Sequence, residues 1–188
     1  MNVNLIIVDD FYSNPQEVRE FALSQEFSVY GNYPGSRTQP HIASGVKEAI
    51  EHNMQFAGKI TDWMNHDPNT SYTGAFQLAT ASDRTWVHAD HHNMWAGVCY
   101  LTPDAPHTGG TALYRYKATG AFRRTSETAD TYEGYDYTKW DKFDVVGNKF
   151  NRLVIYRGDL FHASVDYFGH DKDTGRLFQT FFFNTERY

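Results

Sequence analysis

His88 and Asp90 stand two positions apart, and His162 lies far down the chain in the segment Leu160-Phe161-His162-Ala163-Ser164. If the three serve one purpose, the fold must lay two distant segments side by side, which narrows the architectures open to the chain. On extended backbone successive side chains point to opposite faces, so His88 and Asp90 share a direction while Ala89 turns away. Two imidazoles and one carboxylate on one face of a metal leave up to three coordination positions free. Non-haem Fe(II) uses that arrangement to bind a co-substrate and O₂ side by side. Alone, H-x-D is a short and common pattern, and its plain reading is a hydrogen-bonded surface pair with His162 a satisfied interior histidine.

Arg176 shifts that weighing. It opens the run Arg176-Leu177-Phe178-Gln179-Thr180-Phe181-Phe182-Phe183, where alternation puts Arg176, Phe178 and Thr180 on one face. A guanidinium in an aromatic-lined pocket is costly unless it meets an anion, and its planar fork suits a carboxylate. Beside a metal it is placed to hold the far carboxylate of a dicarboxylic co-substrate. Its plainer reading is a strand-start arginine paired with a surface acid such as Asp173.

The 188 residues suit one domain with a full core. Seventeen basic against 23 acidic side chains leave a formal net charge of -6, and no Lys/Arg-rich block is present to neutralise phosphates, so nucleic acid is not an expected partner. Cys99, the only cysteine, excludes an internal disulfide and reads as a small buried hydrophobe. No stretch approaches the length of a membrane span, and Met1 to Val8 lacks the charged start and the length of a signal peptide. A cytoplasmic protein with no membrane partner is the expectation.

Residues 1–69 read as a mostly helical support. Leu5 to Val8 is a short apolar strand, Pro15 suits the first position of a helix running to about Gln25, and Ser44 is placed to cap a second helix through roughly Met64. Both helices are expected to back a sheet. From Thr70 onward strands dominate: Tyr72 to Thr80, Thr85 to Asp90, Ala96 to Thr102, Thr111 to Lys117, Arg152 to Tyr156, His162 to Tyr167 and Leu177 to Asn184. Seven such segments separated by Gly/Pro/Asp turns imply a sandwich or barrel. The polar, Tyr-rich stretch 118–151 reads as an insertion whose one helix lies near Tyr137 to Phe143.

Taken in order, Val87-His88-Ala89-Asp90, the stretch Ala96 to Asp104 with Gly109-Gly110-Thr111, Asn151 to Tyr156 through His162, and Gly175-Arg176 into the last strand resemble the Fe(II)- and 2-oxoglutarate-dependent oxygenases, in particular their small prolyl-4-hydroxylase-like branch. The likeness covers roughly the C-terminal 110 residues. It implies a mainly β fold with flanking α-helices, a double-stranded β-helix (jelly roll, cupin-like). It also implies iron ligands at His88, Asp90 and His162, and Arg176 on the distal carboxylate of 2-oxoglutarate. Oxidation of a C–H bond by O₂ would then release succinate and CO₂. Many relatives carry a small hydroxyl residue two positions after the basic one. Here Phe178 occupies that place and Thr180 is the substitute, with an ordinary strand role equally open.

Several residues stay open at this stage. Tyr100, Cys99 or Gln77 is available to meet the co-substrate, and strand parity alone does not choose between Tyr100 and Cys99. His91, His92 and His107 read as accessories; Trp86 is open to lining the pocket, with core packing the plainer role, and Arg37 to reaching the site mouth, with a solvated loop arginine the plainer reading. The prime substrate is a peptide or protein side chain, prolyl by the likeness, or a small molecule. The stretch 118–151 is its expected lid, and the acids Glu127, Asp130, Glu133 and Asp136 hint at a basic or neutral partner. Two rival readings keep the fold and drop this chemistry: a non-catalytic peptide- or sugar-binding jelly roll, and a cupin-like metal enzyme that does not use 2-oxoglutarate.

Overall fold

The computed structural model describes residues 3–63, 72–126 and 133–187. Two antiparallel sheets face one another. The larger has seven strands: β1 (Leu5–Val8), β2 (Ser36–Arg37), β3 (Ile60–Asp62), β4 (Phe76–Ala79), β5 (Trp95–Tyr100), β8 (Leu153–Arg157) and β10 (Arg176–Thr185). Their order is β1-β8-β5-β10-β4-β2, with β3 paired to the far end of β10. The smaller sheet is β7-β6-β9, from Trp140–Val146, Thr111–Tyr116 and His162–Ser164.

Alternation along β5 and β10 divides the molecule into layers. Leu177, Phe181 and Phe183 of β10, with Trp95 and Cys99 of β5, pack against α1 (Pro15–Ser24) and α2 (Val46–Asn53) through Ala22, Ile50 and Met54. Each large apolar side chain buried there contributes roughly 1.5–3 kcal/mol. The opposite parity, Ala96, Val98 and Tyr100 of β5 with Phe178 of β10, meets Leu113 and Val146 of the smaller sheet. The helices therefore back the large sheet, and the space between the sheets is left for a site. Tyr100 faces that space and Cys99 the helices, where burial pushes the thiol up and keeps it protonated.

The second helix is much shorter than its apolar spacing implies. Gly45, in the left-handed region at φ 84°, precedes it in place of Ser44, and it ends at Asn53. A single 3₁₀ turn, Gln55–Ala57, leads to Gly58 at φ 78°, where the chain turns into β3. Met54, Ala57 and Ile60 stay buried, so the apolar period outlasts the helix that it was taken to signal. Met64 lies outside the described residues. The helix expected near Tyr137 to Phe143 is instead a 3₁₀ turn, Tyr137–Lys139, followed by β7, which pairs with β6 along its whole length. Residues 140–146 of the stretch 118–151 thus belong to the smaller sheet. Thr85 to Asp90 forms no continuous strand, but His88 makes an isolated bridge to His162.

Candidate metal centre

That bridge builds the site. The His88 N–H donates to the His162 carbonyl at 2.9 Å, and the His162 N–H to the His88 carbonyl at 2.8 Å. Residues that exchange both bonds across an antiparallel pair put their side chains on the same face. The two imidazoles lie 4.4 Å apart between centroids. Asp90 returns to that face while Ala89 packs into the apolar cluster with Val87 and Phe161. The nearest donor atoms are Asp90 Oδ2 and His162 Nε2 at 3.2 Å, and Asp90 Oδ1 and His88 Nε2 at 3.7 Å. One ligand atom from each residue lies within 4.8 Å of the others. Ligands on a six-coordinate ion with bonds of about 2.1 Å stand roughly 3 Å apart, so the triad is close to the spacing that one ion needs.

The backbone fixes which nitrogen faces the ion. His88 Nδ1 lies 3.0 Å from the Trp86 carbonyl, and His162 Nδ1 lies 2.9 Å from the Leu160 carbonyl. A carbonyl can only accept, so both Nδ1 atoms carry the proton and both Nε2 lone pairs turn toward Asp90. Burial, with His162 alongside, lowers His88 to about 4 and favours the neutral imidazole that a metal requires. Burial alone would raise Asp90, but its neighbours, His162 first and then His88 and Arg37, outweigh it and hold the carboxyl at about 2. The carboxylate is therefore ionised at neutral pH.

Arg176 is fully buried at the start of β10. Its Nε donates to the Gly109 carbonyl at 3.0 Å and its Nη2 to the Gly110 carbonyl at 3.2 Å, while its Nη1 has no hydrogen-bond partner among the described residues. The guanidinium lies 4.3 Å from the Phe178 ring centroid, with Tyr100 and Tyr167 also beside it. It does not pair with Asp173. An orphaned donor on a buried cation is what the far carboxylate of a diacid would satisfy, and the triad is a donor set that suits a ferrous ion. Gly110 permits the close approach here: an added Cβ would stand 1.9 Å from the Val146 carbonyl oxygen.

A cleft of about 550 Å³, its open mouth included, joins the triad to Thr111, Tyr156, Tyr167 and Phe178. Thr180 also lines it, but its hydroxyl donates to the Tyr72 carbonyl at 2.6 Å, so it presents lone pairs rather than a proton to the cleft. Trp86 lines the cleft instead of serving the core. His91 and His92 are exposed and stack on each other at 4.0 Å. Tyr156, in sequence only a member of an apolar strand, lies 4.5 Å from the His162 ring. Arg37 takes the less plain of its two readings: it is only 6% exposed and lies on the cleft wall, packed on Tyr33 and Tyr72.

A model of a family of unknown function, DUF6445, matches residues 1–183. The chain belongs to the DUF6445 family. No curated protein matches it. Among solved structures, the DUF6445 chain is similar to HygX from Streptomyces hygroscopicus with nickel, 2-oxoglutarate and hygromycin B bound, with a TM-score of 0.61 and 11% identity, covering 97% of this chain and 83% of that one. It is also similar to a prolyl hydroxylase from Trichoplax adhaerens in complex with a hypoxia inducible factor oxygen degradation domain peptide fragment, with a TM-score of 0.50 and 13% identity, covering 96% and 83%. At these identities the likeness establishes the fold of the DUF6445 chain, the double-stranded β-helix that the sequence resemblance implied. Among the described residues no helix is long and apolar enough to cross a membrane.

Proposed function

We propose that the chain is an Fe(II)- and 2-oxoglutarate-dependent oxygenase that hydroxylates a C–H bond of a substrate admitted to the cleft. The observation that carries this reading is the convergence of His88, Asp90 and His162 within 4.8 Å at a cleft whose wall includes Phe178, the ring on which the Arg176 guanidinium packs with its Nη1 orphaned. The fold shared with HygX and with a prolyl hydroxylase supports it. With iron and 2-oxoglutarate bound, the site supplies the oxygen chemistry, in which one oxygen atom of O₂ enters succinate and the other the hydroxylated product, with CO₂ released.

The protein's own contribution is positioning. His88, Asp90 and His162 hold one face of the metal and leave the other for ligands. Arg176, tied down by two carbonyls, keeps its third nitrogen aimed at a carboxylate and so orients the co-substrate. Tyr100, whose hydroxyl lies 2.7 Å from that of Thr111, stands on the same inner face as Arg176. Phe178, Val98 and Trp86 dry the walls. Segment 133–137 is the candidate recognition element: Val87 N–H donates to the Gly134 carbonyl at 3.0 Å, and Tyr135 stacks on Trp86 at 5.2 Å. The acids of this region that are described are engaged locally, Glu133 with Lys139 and Asp136 with Thr138, while Glu127 and Asp130 lie outside the described residues.

Succinate release tests the reading. Iron-loaded protein with 2-oxoglutarate in air is expected to form succinate, at first uncoupled and then faster when a screen of peptides and small metabolites supplies the prime substrate, with His162→Ala inactive. No succinate from the wild type under any of these conditions would overturn it.

A further inference from the structure

We infer that Arg37 is the anion-recognition residue for the prime substrate, and that this substrate carries a carboxylate on an apolar body. The inference rests on the oxygenase reading and adds the substrate's chemical class to it.

The arginine is built into the wall. Its backbone exchanges hydrogen bonds with Val29 at 2.8 and 2.9 Å. Its Nε donates to Gln77 Oε1 at 2.8 Å, and Gln77 Nε2 donates in turn to the Pro34 carbonyl at 2.7 Å. Gln77 thus gives its oxygen to Arg37 while its amide is anchored on Pro34, and it acts as a positioning residue. The guanidinium carbon sits 3.8 Å from the Tyr33 ring centroid and 4.5 Å from that of Tyr72. Arg37, Gln77, Phe178 and Tyr100 are directly opposed across β2, β4, β10 and β5, so one cross-strand row runs along the inner face of the sheet. Among the described residues no carboxylate lies within ion-pair distance of Arg37. Its terminal nitrogens have no hydrogen bond there either.

Charge counting says what should meet it. A divalent ion and Asp90 leave one positive charge, 2-oxoglutarate brings two negative charges, and Arg176 restores the balance. Arg37 then stands as a buried cation with nothing left to neutralise it. Desolvating a guanidinium is costly, and a monoanionic substrate group removes that cost while fixing which end of the substrate lies at the wall and which at the metal. Tyr33, Trp86 and Phe182 around the remaining space favour an apolar body behind the carboxylate. A free small acid and the last residue of a peptide both offer such a carboxylate.

The test uses Mn(II)-loaded full-length protein and reads the paramagnetic relaxation of ligand protons. The probes are phenylacetate, its neutral isostere phenylacetamide, N-acetyl-alanine and its primary amide, and acetyl-glycyl-glycyl-alanine with a free or an amidated C-terminus. Titrations are run with and without saturating 2-oxoglutarate, on the wild type, Arg37→Gln and the charge-retaining Arg37→Lys. At least one acid should bind the wild type at least ten-fold more tightly than its amide. Arg37→Gln should abolish that preference, Arg37→Lys should keep part of it, and 2-oxoglutarate affinity should stay within two-fold. A preference confined to N-acetyl-alanine or to the free peptide terminus identifies the source of the carboxylate. Acid and amide binding alike, no acid binding at all, or a preference that survives in Arg37→Gln overturns the inference. So does a large loss of 2-oxoglutarate affinity in Arg37→Gln, which would make Arg37 the co-substrate arginine. Failure of 2-oxoglutarate to bind the wild type would strike the oxygenase reading instead, and the metal-only titration still decides on Arg37.

Discussion

His88 and His162 are a directly paired residue couple, each donating its backbone N–H to the other's carbonyl at 2.9 and 2.8 Å. The metal face is therefore set by the backbone, ahead of any ion. Asp90 has only to complete a geometry that two segments have already fixed. Asp90→Ala and His162→Ala should each weaken Fe(II) or Mn(II) binding by more than about 100-fold, beyond the 10–100-fold typical of residues that merely support a ligand. They should also abolish the thermal upshift that metal gives the wild type, as checked by calorimetry with and without metal.

Arg176 separates the oxygenase reading from the metal enzyme that ignores 2-oxoglutarate. Arg176→Ala should retain metal and lose 2-oxoglutarate affinity by at least tens of fold. Arg176→Lys should rescue it poorly, because a single ammonium cannot hold both glycine carbonyls and still present a fixed third donor. Isothermal titration of the metal-loaded variants measures this. Unchanged affinity in Arg176→Ala would assign the guanidinium a purely structural role.

Gly110 links that arginine to the smaller sheet. Its carbonyl accepts from Arg176 Nη2 at 3.2 Å, and a Cβ there would meet the Val146 carbonyl oxygen at 1.9 Å. Gly110→Ala should cost about 1–3 kcal/mol in urea denaturation and weaken 2-oxoglutarate binding along with it.

Acid should destabilise the metal-free protein through His88. Its folded-state value is lowered from 6.5 to about 4, so between these values the unfolded chain takes up a proton that the folded chain declines. Stability from this group therefore falls as the pH drops from 6.5 toward 4, and it is flat above that window. The partial exposure of His88 to the cleft keeps the slope below the one-proton limit of about 1.4 kcal/mol per pH unit. Denaturation across this range, compared with His88→Gln, should show the slope reduced in the variant.

The parts of the site legible in the sequence are those where chemistry or strand parity leaves little choice. Arg176 stands out because a lone cation opens an otherwise aromatic strand, and His88, Asp90 and His162, a common pattern alone, because that arginine and the order of the surrounding segments give it a context. The start of α1 was marked by Pro15. β7 was not legible, because an edge strand such as Trp140–Val146 keeps only its two ends buried and shows no apolar alternation. The end of α2 was hidden because buried residues at Met54, Ala57 and Ile60 continue the helical period through a turn and into a strand. Arg37 owes its burial to Tyr33, Tyr72 and Gln77, and none of these contacts leaves a trace in the local sequence.

Anaerobic titration of the Fe(II)-loaded chain with 2-oxoglutarate, followed by visible absorbance, shows whether His88, Asp90 and His162 hold an iron that the co-substrate can reach. A charge-transfer band that saturates at one co-substrate per protein, and is absent in Asp90→Ala, is the expected result. A wild-type protein that binds iron but develops no such band at any 2-oxoglutarate concentration would contradict it.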